Sequence, residues 1–395
     1  MKLNTQPFIF LLVLTLSTYS CKSTKTLSDK SNAPIDTVKE ISAIPDTLVV
    51  SEIVAVVQDS VEIQIHRALK DTLQIIGVGD IMMGTNFPNE SYLPPAGGDN
   101  LLKEVSAILS NADVTFGNLE GVILDEGGTQ KYCKNPKICY LFRSPDAYAT
   151  HLKTAGFDVL STANNHAGDF GSEGRVNTMH ILDSLGFHHA GQLTHPYTTF
   201  MIDGMKYGFA AFSPNTGTVS IHDLGRAGAI IQHLDSISDV VIVSFHGGAE
   251  GSKYEHVTRE TETFYGENRG NVYQFAHTLI DAGADVIFGH GPHVTRAVEV
   301  YKNRFIAYSL GNFCTYARFN LSGVSGLAPI INVQTSATGE FLQAQITPII
   351  QLRPGGPKID TEKRVIRKLQ ELTKKDFPEV PISIDDNGVI TYIQD

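Results

Sequence analysis

The residues that could do chemistry fall into a few short clusters. Gly289-His290-Gly291-Pro292-His293 sets two imidazoles three residues apart in a rigid turn, which suits one metal, or one metal and a substrate anion. Ala163 to Gly171 packs the amides of Asn164 and Asn165, the His166 imidazole and the Asp169 carboxylate into six residues. An Asn can ligate through its carbonyl oxygen, and His166 can pass a proton to a leaving group. A hydrogen-bonded loop with a helix cap is the plainer alternative. His246-Gly247-Gly248-Ala249-Glu250 pairs an imidazole with a carboxylate that either orients it or acts as a base. Asp80, between Gly79 and Gly84, can ligate a hard or borderline cation, and an Asp capping a helix would look the same. Asn118 and Glu120 add an amide and a second carboxylate, in what reads as a polar turn when taken alone. Asn312 adds an amide, and Arg296 a contact for an anion. The other ten of the 14 histidines lie away from these clusters and read as solvent contacts or satisfied polar groups.

These clusters need elements that bring them together. Each follows a short apolar run: 73–80 (LQIIGVGD), 113–120 (DVTFGNLE), 158–166 (DVLSTANNH), 240–246 (VVIVSFH), 285–293 (DVIFGHGPH) and 305–313 (FIAYSLGNF). Such β-branched runs read as buried strands. In open α/β sheets ligands bind beyond the carboxyl ends of strands, so six polar terminators point to one shared site. Helical patterns fill the gaps at 101–109, 172–185, 226–237 and 271–282, and another starts at Ser144-Pro145. A hairpin pattern at 201–212 makes the sheet arrangement mixed. The expected class is α/β and layered.

The chain has 395 residues, 42% hydrophobic and 18% charged, enough for one large domain or two small ones. A net charge of −11 argues against a nucleic-acid partner. Lys2 followed by the apolar stretch 8–16 and Ser20-Cys21 resembles the leader and processing site of a bacterial lipoprotein, with Cys21 acylated. An ordinary secretory signal is the alternative, and both place the mature chain outside the cytoplasm. The expected organisation is a leader over 1–21, a polar tether over 22–52, an α/β domain over 53–350 and a C-terminal extension over 351–395. Within it, 53–65 alternates like a strand or hairpin, and 361–373 reads as a helix. Cys133 and Cys139 fit a small disulfide loop better than a zinc clip. Cys314 is expected as a buried thiol beside the site.

Taken in order, GDIMMG, GNLEG, ANNHAGDFG, HGGAE, GHGPHVTRAVEVY and AYSLGNF resemble the CapA (PgsA-type) family of capsule and poly-γ-glutamate biosynthesis. That resemblance implies a metallophosphoesterase-like α/β/β/α sandwich with mixed sheets. It implies a metal set of Asp80, Glu120, Asn165, His246, His290 and His293, with His166 as proton donor. Asp169 and Glu250 would assist, and Asn118, Asn164, Arg296 and Asn312 would contact substrate. The ion would be Mn, Fe, Zn or Mg. The implied substrate is an envelope polymer with γ-glutamyl or phosphoester bonds, and the implied associates are the membrane, through a lipid anchor, and polymer synthesis or export machinery. A non-catalytic accessory with a structural metal is the alternative. Three positions depart from the pattern. Met82 stands where phosphoesterases of this kind carry a His, and Gly247 and Gly251 stand where the family has Trp and Tyr.

Overall fold

The computed structural model describes residues 70–133 and 139–392, all within the unit Ile65–Asp395. The leader, the tether and the 53–65 pattern lie outside the described residues.

Two large sheets form the core of the domain, beside two small two-stranded ones. In the first, the strands Thr72–Met82, Val114–Leu119, Val159–Ser161 and His188–Ala190 run parallel. Leu327–Ser336 and Phe341–Gln351 continue that sheet antiparallel on the other side of Thr72–Met82. In the second, Met205–Phe212, Val240–His246, Val286–His290 and Arg304–Ala307 run parallel, flanked by the antiparallel Tyr197–Ile202 and Val298–Tyr301. The inner faces pack on each other through Phe116, Phe209, Phe288, Ile242 and Ile331. Phe116 stacks on Phe288 with ring centroids 5.4 Å apart. Helices Tyr148–Thr154 and Gly171–Ser184 cover the outside of the first sheet, and Leu224–Asp235 and Val272–Asp281 cover the second. The layers are therefore α/β/β/α with mixed sheets. Among the described residues no helix is long and apolar enough to cross a membrane.

Four Asp-Val or Asp-Val-like starts explain the register. Asp113, Asp158, Asp239 and Asp285 each precede a strand and accept the backbone N–H of Gln74, Thr115, Lys206 and Val241 on the neighbouring one, at 2.7 to 2.9 Å. A carboxylate at the strand start satisfies an end N–H and pins the pair in register. Helix Val272–Asp281 starts in the expected place because Asn271 Oδ1 accepts Gln274 N–H at 2.9 Å.

Several boundaries differ from the sequence reading. The run 305–313 is two strands. Arg304–Ala307 ends in the second sheet, and Asn312–Thr315 pairs with the end of Thr72–Met82 in the first. Gly311, at φ +65°, makes that crossing. Pro145 starts a turn rather than a helix, and only Ser106–Leu109 of 101–109 is α-helical. The C-terminal helix is shifted to Arg364–Asp376, and the strands Pro357–Ile359 and Val389–Tyr392 join the first sheet.

The crossing passes close over Gly79. Asp80 N–H donates to Gly311 O at 2.8 Å, and a Cβ on Gly79 would sit 2.1 Å from that oxygen. The obstacle is backbone, so it cannot rotate away. Gly79→Ala is expected to cost at least the 1–3 kcal/mol usual for overpacking, and to displace Asp80. Urea unfolding checks this, and an unchanged midpoint contradicts it.

Candidate functional site

The carboxyl ends of both sheets meet at one place. Asp80 pairs in register with Asn118 and Asn312 in the first sheet, and His246 pairs with His290 in the second. The two sheets then touch through side chains. His290 Nδ1 donates to Asp80 Oδ1 at 3.2 Å, and His293 Nδ1 donates to Asp80 Oδ2 at 2.7 Å. Asn118 Nδ2 donates to both Asp80 Oδ1 (2.9 Å) and Glu120 Oε2 (2.8 Å), and His246 Nδ1 lies 3.7 Å from that Glu120 oxygen. Asp80, Glu120, His246 and His290 are buried. His293 reaches Asp80 from a left-handed backbone, φ +55°, a conformation that costs on the order of 1–3 kcal/mol for a non-glycine residue.

Burial and pairing set the charges. Burial alone would raise the Asp80 carboxyl, but the hydrogen bonds and charges of His290 and His293 hold it well below the usual carboxylate range. Burial pushes Glu120 up to about 8, and the Asp80 charge beside it adds to the shift. Burial opposes protonation of His293, yet the Asp80 hydrogen bond and charge raise it to about 10. Burial holds His246 neutral, well below its ordinary value. The shifts favour an Asp80–His293 ion pair, with burial favouring the neutral forms of Glu120 and His246.

The neighbouring loop builds a second constellation. His166 Nδ1 donates to Asp169 Oδ2 at 2.7 Å, which leaves Nε2 for proton transfer. Burial lowers the His166 imidazole, against the raising effect of Asp169. Asp169 Oδ2 also accepts Phe142 N–H at 2.7 Å, and Asp169 is ion-paired with Lys131. Lys131 Nζ donates to Asn165 O at 3.2 Å as well, so one ammonium ties the residue before His166 to the carboxylate three residues after it. The Phe142 ring lies 4.2 Å from the His166 ring and 5.1 Å from Phe319, whose edge meets His293 at 5.3 Å. Met82 packs with Phe142, Phe319 and Leu321 in one apolar cluster. The position that departs from the phosphoesterase pattern is therefore part of an apolar wall.

A family-model comparison matches residues 74–317, 244 of the 395, to the bacterial capsule synthesis protein PGA_cap. The chain belongs to this family. The capsule biosynthesis protein CapA of Bacillus anthracis is 29% identical, with 78% of this chain and 75% of that protein covered. The PGA biosynthesis protein CapA of Bacillus subtilis is also 29% identical, covering 76% of this chain and 78% of its own. Among solved structures, a 5'-nucleotidase precursor of Thermus thermophilus aligns over 76% of this chain and 59% of its own, at 12% identity and a TM-score of 0.37.

A metal is the natural question for a PGA_cap protein with this donor set. Buried Glu120 Oε1, both ring nitrogens of His246, His290 Nε2 and the Asn165 and Asn312 Oδ1 atoms have no hydrogen-bond partner among the described residues. Buried polar atoms are rarely left so, and O and N donors of these kinds are what a divalent cation satisfies. Yet among the described residues no three His, Cys, Asp or Glu side chains already stand ready to hold an ion. The Asp80 carboxylate already accepts two imidazole N–H groups and the Asn118 amide. The donor chemistry fits a metal, and the present side-chain arrangement is closed around the Asp80–His293 pair.

Several expected substrate contacts are used inside the protein. Arg296 is fully buried, and its guanidinium clamps both oxygens of Glu262 at 2.8 Å and the carbonyls of Tyr254 and Ala249. It is a brace for the 247–254 loop: four of its five N–H donors are spent on Glu262, Tyr254 and Ala249, and its burial keeps it from a substrate anion. Asn118 bridges Asp80 and Glu120 from within. Asn164 donates to Leu119 O at 2.7 Å and accepts His166 N–H at 3.1 Å. Asn312 Nδ2 donates to His293 O and Ser325 O. Glu250 pairs with Arg269 at 2.9 Å, not with His246. Cys314 is buried in the helix-side core, where burial pushes its thiol up to about 12. Cys133 and Cys139 are disulfide-bonded. Lys131 was missed, because a single Lys before the Cys loop has no periodic signal. Its position two residues before Cys133 was the only hint.

The charge states carry a pH prediction. His293 is raised, so in the metal-free protein its stabilisation is complete below about 6.5 and lost as pH rises toward about 10. Asp80 is lowered, so its share is fully present above the usual carboxylate range and lost as pH falls below that range toward the depressed folded value. If His293 and Glu120 ligate a divalent ion, binding at pH 7 displaces their protons. Calorimetry in buffers of different ionisation heat is expected to show about one or two protons released per ion. Zero release contradicts the protonation pattern.

Proposed function

We propose that this PGA_cap protein is an exported, membrane-tethered, metal-dependent hydrolase acting on an envelope polymer with γ-glutamyl or phosphoester bonds. What carries the reading is one juxtaposition: a buried set of unsatisfied O and N donors next to an imidazole that a buried carboxylate orients. Asp80, Glu120, Asn165, His246, His290 and His293 would hold the ion, Mn, Fe, Zn or Mg. Such an ion polarises a carbonyl or phosphoryl oxygen and lowers the pKa of a bound water.

The chain's own residues do the rest. Asp169 can only accept at Oδ2, so it fixes the proton of His166 on Nδ1 and aims Nε2. His166 Nε2 is the atom that receives or delivers a proton. Lys131 neutralises Asp169 and holds the Asn165 carbonyl, which keeps the loop in place during that transfer. The apolar wall of Met82, Phe142 and Phe319 limits water on one side and strengthens the electrostatics inside. The Cys21 anchor and the 22–52 tether would hold the domain at the envelope.

A second reading, an accessory of polymer synthesis or export, is favoured by one observation. The Asp80 carboxylate is spent on His290 and His293, and Met82 offers no ligand in place of the expected His. Elemental analysis of the purified protein, with hydrolysis assays on a p-nitrophenyl phosphodiester and on γ-glutamyl peptides, separates the two. Bound metal with turnover is expected. Tight metal without turnover on either bond type establishes the accessory role instead.

A further inference from the structure

Among the described residues, Arg318 is out of keeping with every other buried or half-buried arginine. The buried or half-buried Arg143, Arg175, Arg269, Arg296, Arg304 and Arg364 all bond to carboxylate, carboxamide or carbonyl oxygens. Arg318 is half-buried too, yet among the described residues its guanidinium has no oxygen partner, and its Nε is buried without one. What it has are two rings. Its guanidinium carbon lies 4.5 Å from the Tyr92 centroid and 4.9 Å from that of Tyr140. Cation–π contact holds the guanidinium in place but satisfies none of its N–H donors.

The position is telling. Arg318 directly precedes Phe319, the ring that touches His293 and Phe142. Tyr140 is 46% exposed and lies 6.5 Å from Phe142, which in turn contacts His166. An aromatic path thus leads from the buried cluster to solvent, with an unspent cation beside its outer end. In a chain of net charge −11, an anionic chain approaching this opening needs a local cation to overcome repulsion.

We propose that Arg318, braced by Tyr92 and Tyr140, is an anion-binding subsite that holds a carboxylate or phosphate of the substrate next to the site of reaction. The planar fork of N–H donors matches either oxyanion. The inference rests on the reading of the neighbouring cluster as a substrate site, and it names the charge that the substrate must carry one step from the scissile bond.

The test is binding, measured by calorimetry on the full chain without added metal. The probes are tri-γ-glutamate, the same peptide with every carboxylate amidated, and inorganic phosphate. Wild type is expected to bind tri-γ-glutamate or phosphate and to ignore the amidated peptide. Arg318→Gln should weaken the responding probe roughly ten- to a hundredfold, and Arg318→Lys should recover only part of that. Whichever probe responds identifies a carboxylate or a phosphate as the source of the anion. Equal affinity of wild type and Arg318→Gln for both anions, with both variants folded by circular dichroism, overturns the subsite. So does equal binding of the amidated peptide. Loss of affinity in Arg318→Gln together with no turnover by wild type removes the hydrolase reading and leaves the subsite standing.

Discussion

Arg296→Met is expected to lower the unfolding free energy by about 3–5 kcal/mol, the range for breaking a buried ion pair by removing one partner. Arg296 is fully buried, and the variant would leave Glu262 buried with only the Ala249 N–H to meet its charge. The carbonyls of Tyr254 and Ala249 would lose their donor as well. Arg296→Lys should recover little, since an ammonium cannot span two carboxylate oxygens and two carbonyls at once. The double variant Arg296→Met, Glu262→Leu should recover much of the loss, because it removes the stranded charge. Chemical denaturation of wild type, Arg296→Met, Glu262→Leu and the double variant measures the cycle. Additive single and double effects would mean that the pair is not coupled.

Replacing His166 by Ala is expected to reduce turnover by roughly 10²–10⁴-fold, the usual contribution of a positioned acid or base. Metal content should stay at the wild-type level, since His166 bonds to Asp169 and lies outside the Asp80 cluster. Lys131→Met should fall between wild type and His166→Ala, with kcat changed more than KM, because Lys131 acts through Asp169 and Asn165. Turnover unchanged in His166→Ala, on a substrate that wild type cleaves, would remove the proton-transfer role.

Much of the architecture was legible in one dimension. The apolar runs before Asp80, Asn118, Asn164, His246 and His290 are strands because continuous β-branched runs suit a parallel sheet buried on both faces, and their polar terminators fall at the carboxyl ends of those strands. The 305–313 run reads as one strand because Tyr308 and Leu310 stay apolar and buried through the crossing, with only the small Ser309 between them. Only the contact of Gly311 with Asp80 and Gly79 shows that the chain changes sheets there.

Residue types and their order thus determined that this chain is an α/β protein of the PGA_cap family with its donor side chains gathered at strand ends. Which donors remain available was decided by the tertiary structure. Arg296 and Glu250 looked free for substrate or catalysis, and each is consumed by a carboxylate or guanidinium from a distant loop. Asp80 and His290 are 210 residues apart, yet they share a hydrogen bond. The physical reason is that a polar group's chemistry is local, while its partner is set by where packing of two sheets places another group within hydrogen-bonding distance. No spacing along the chain encodes that distance.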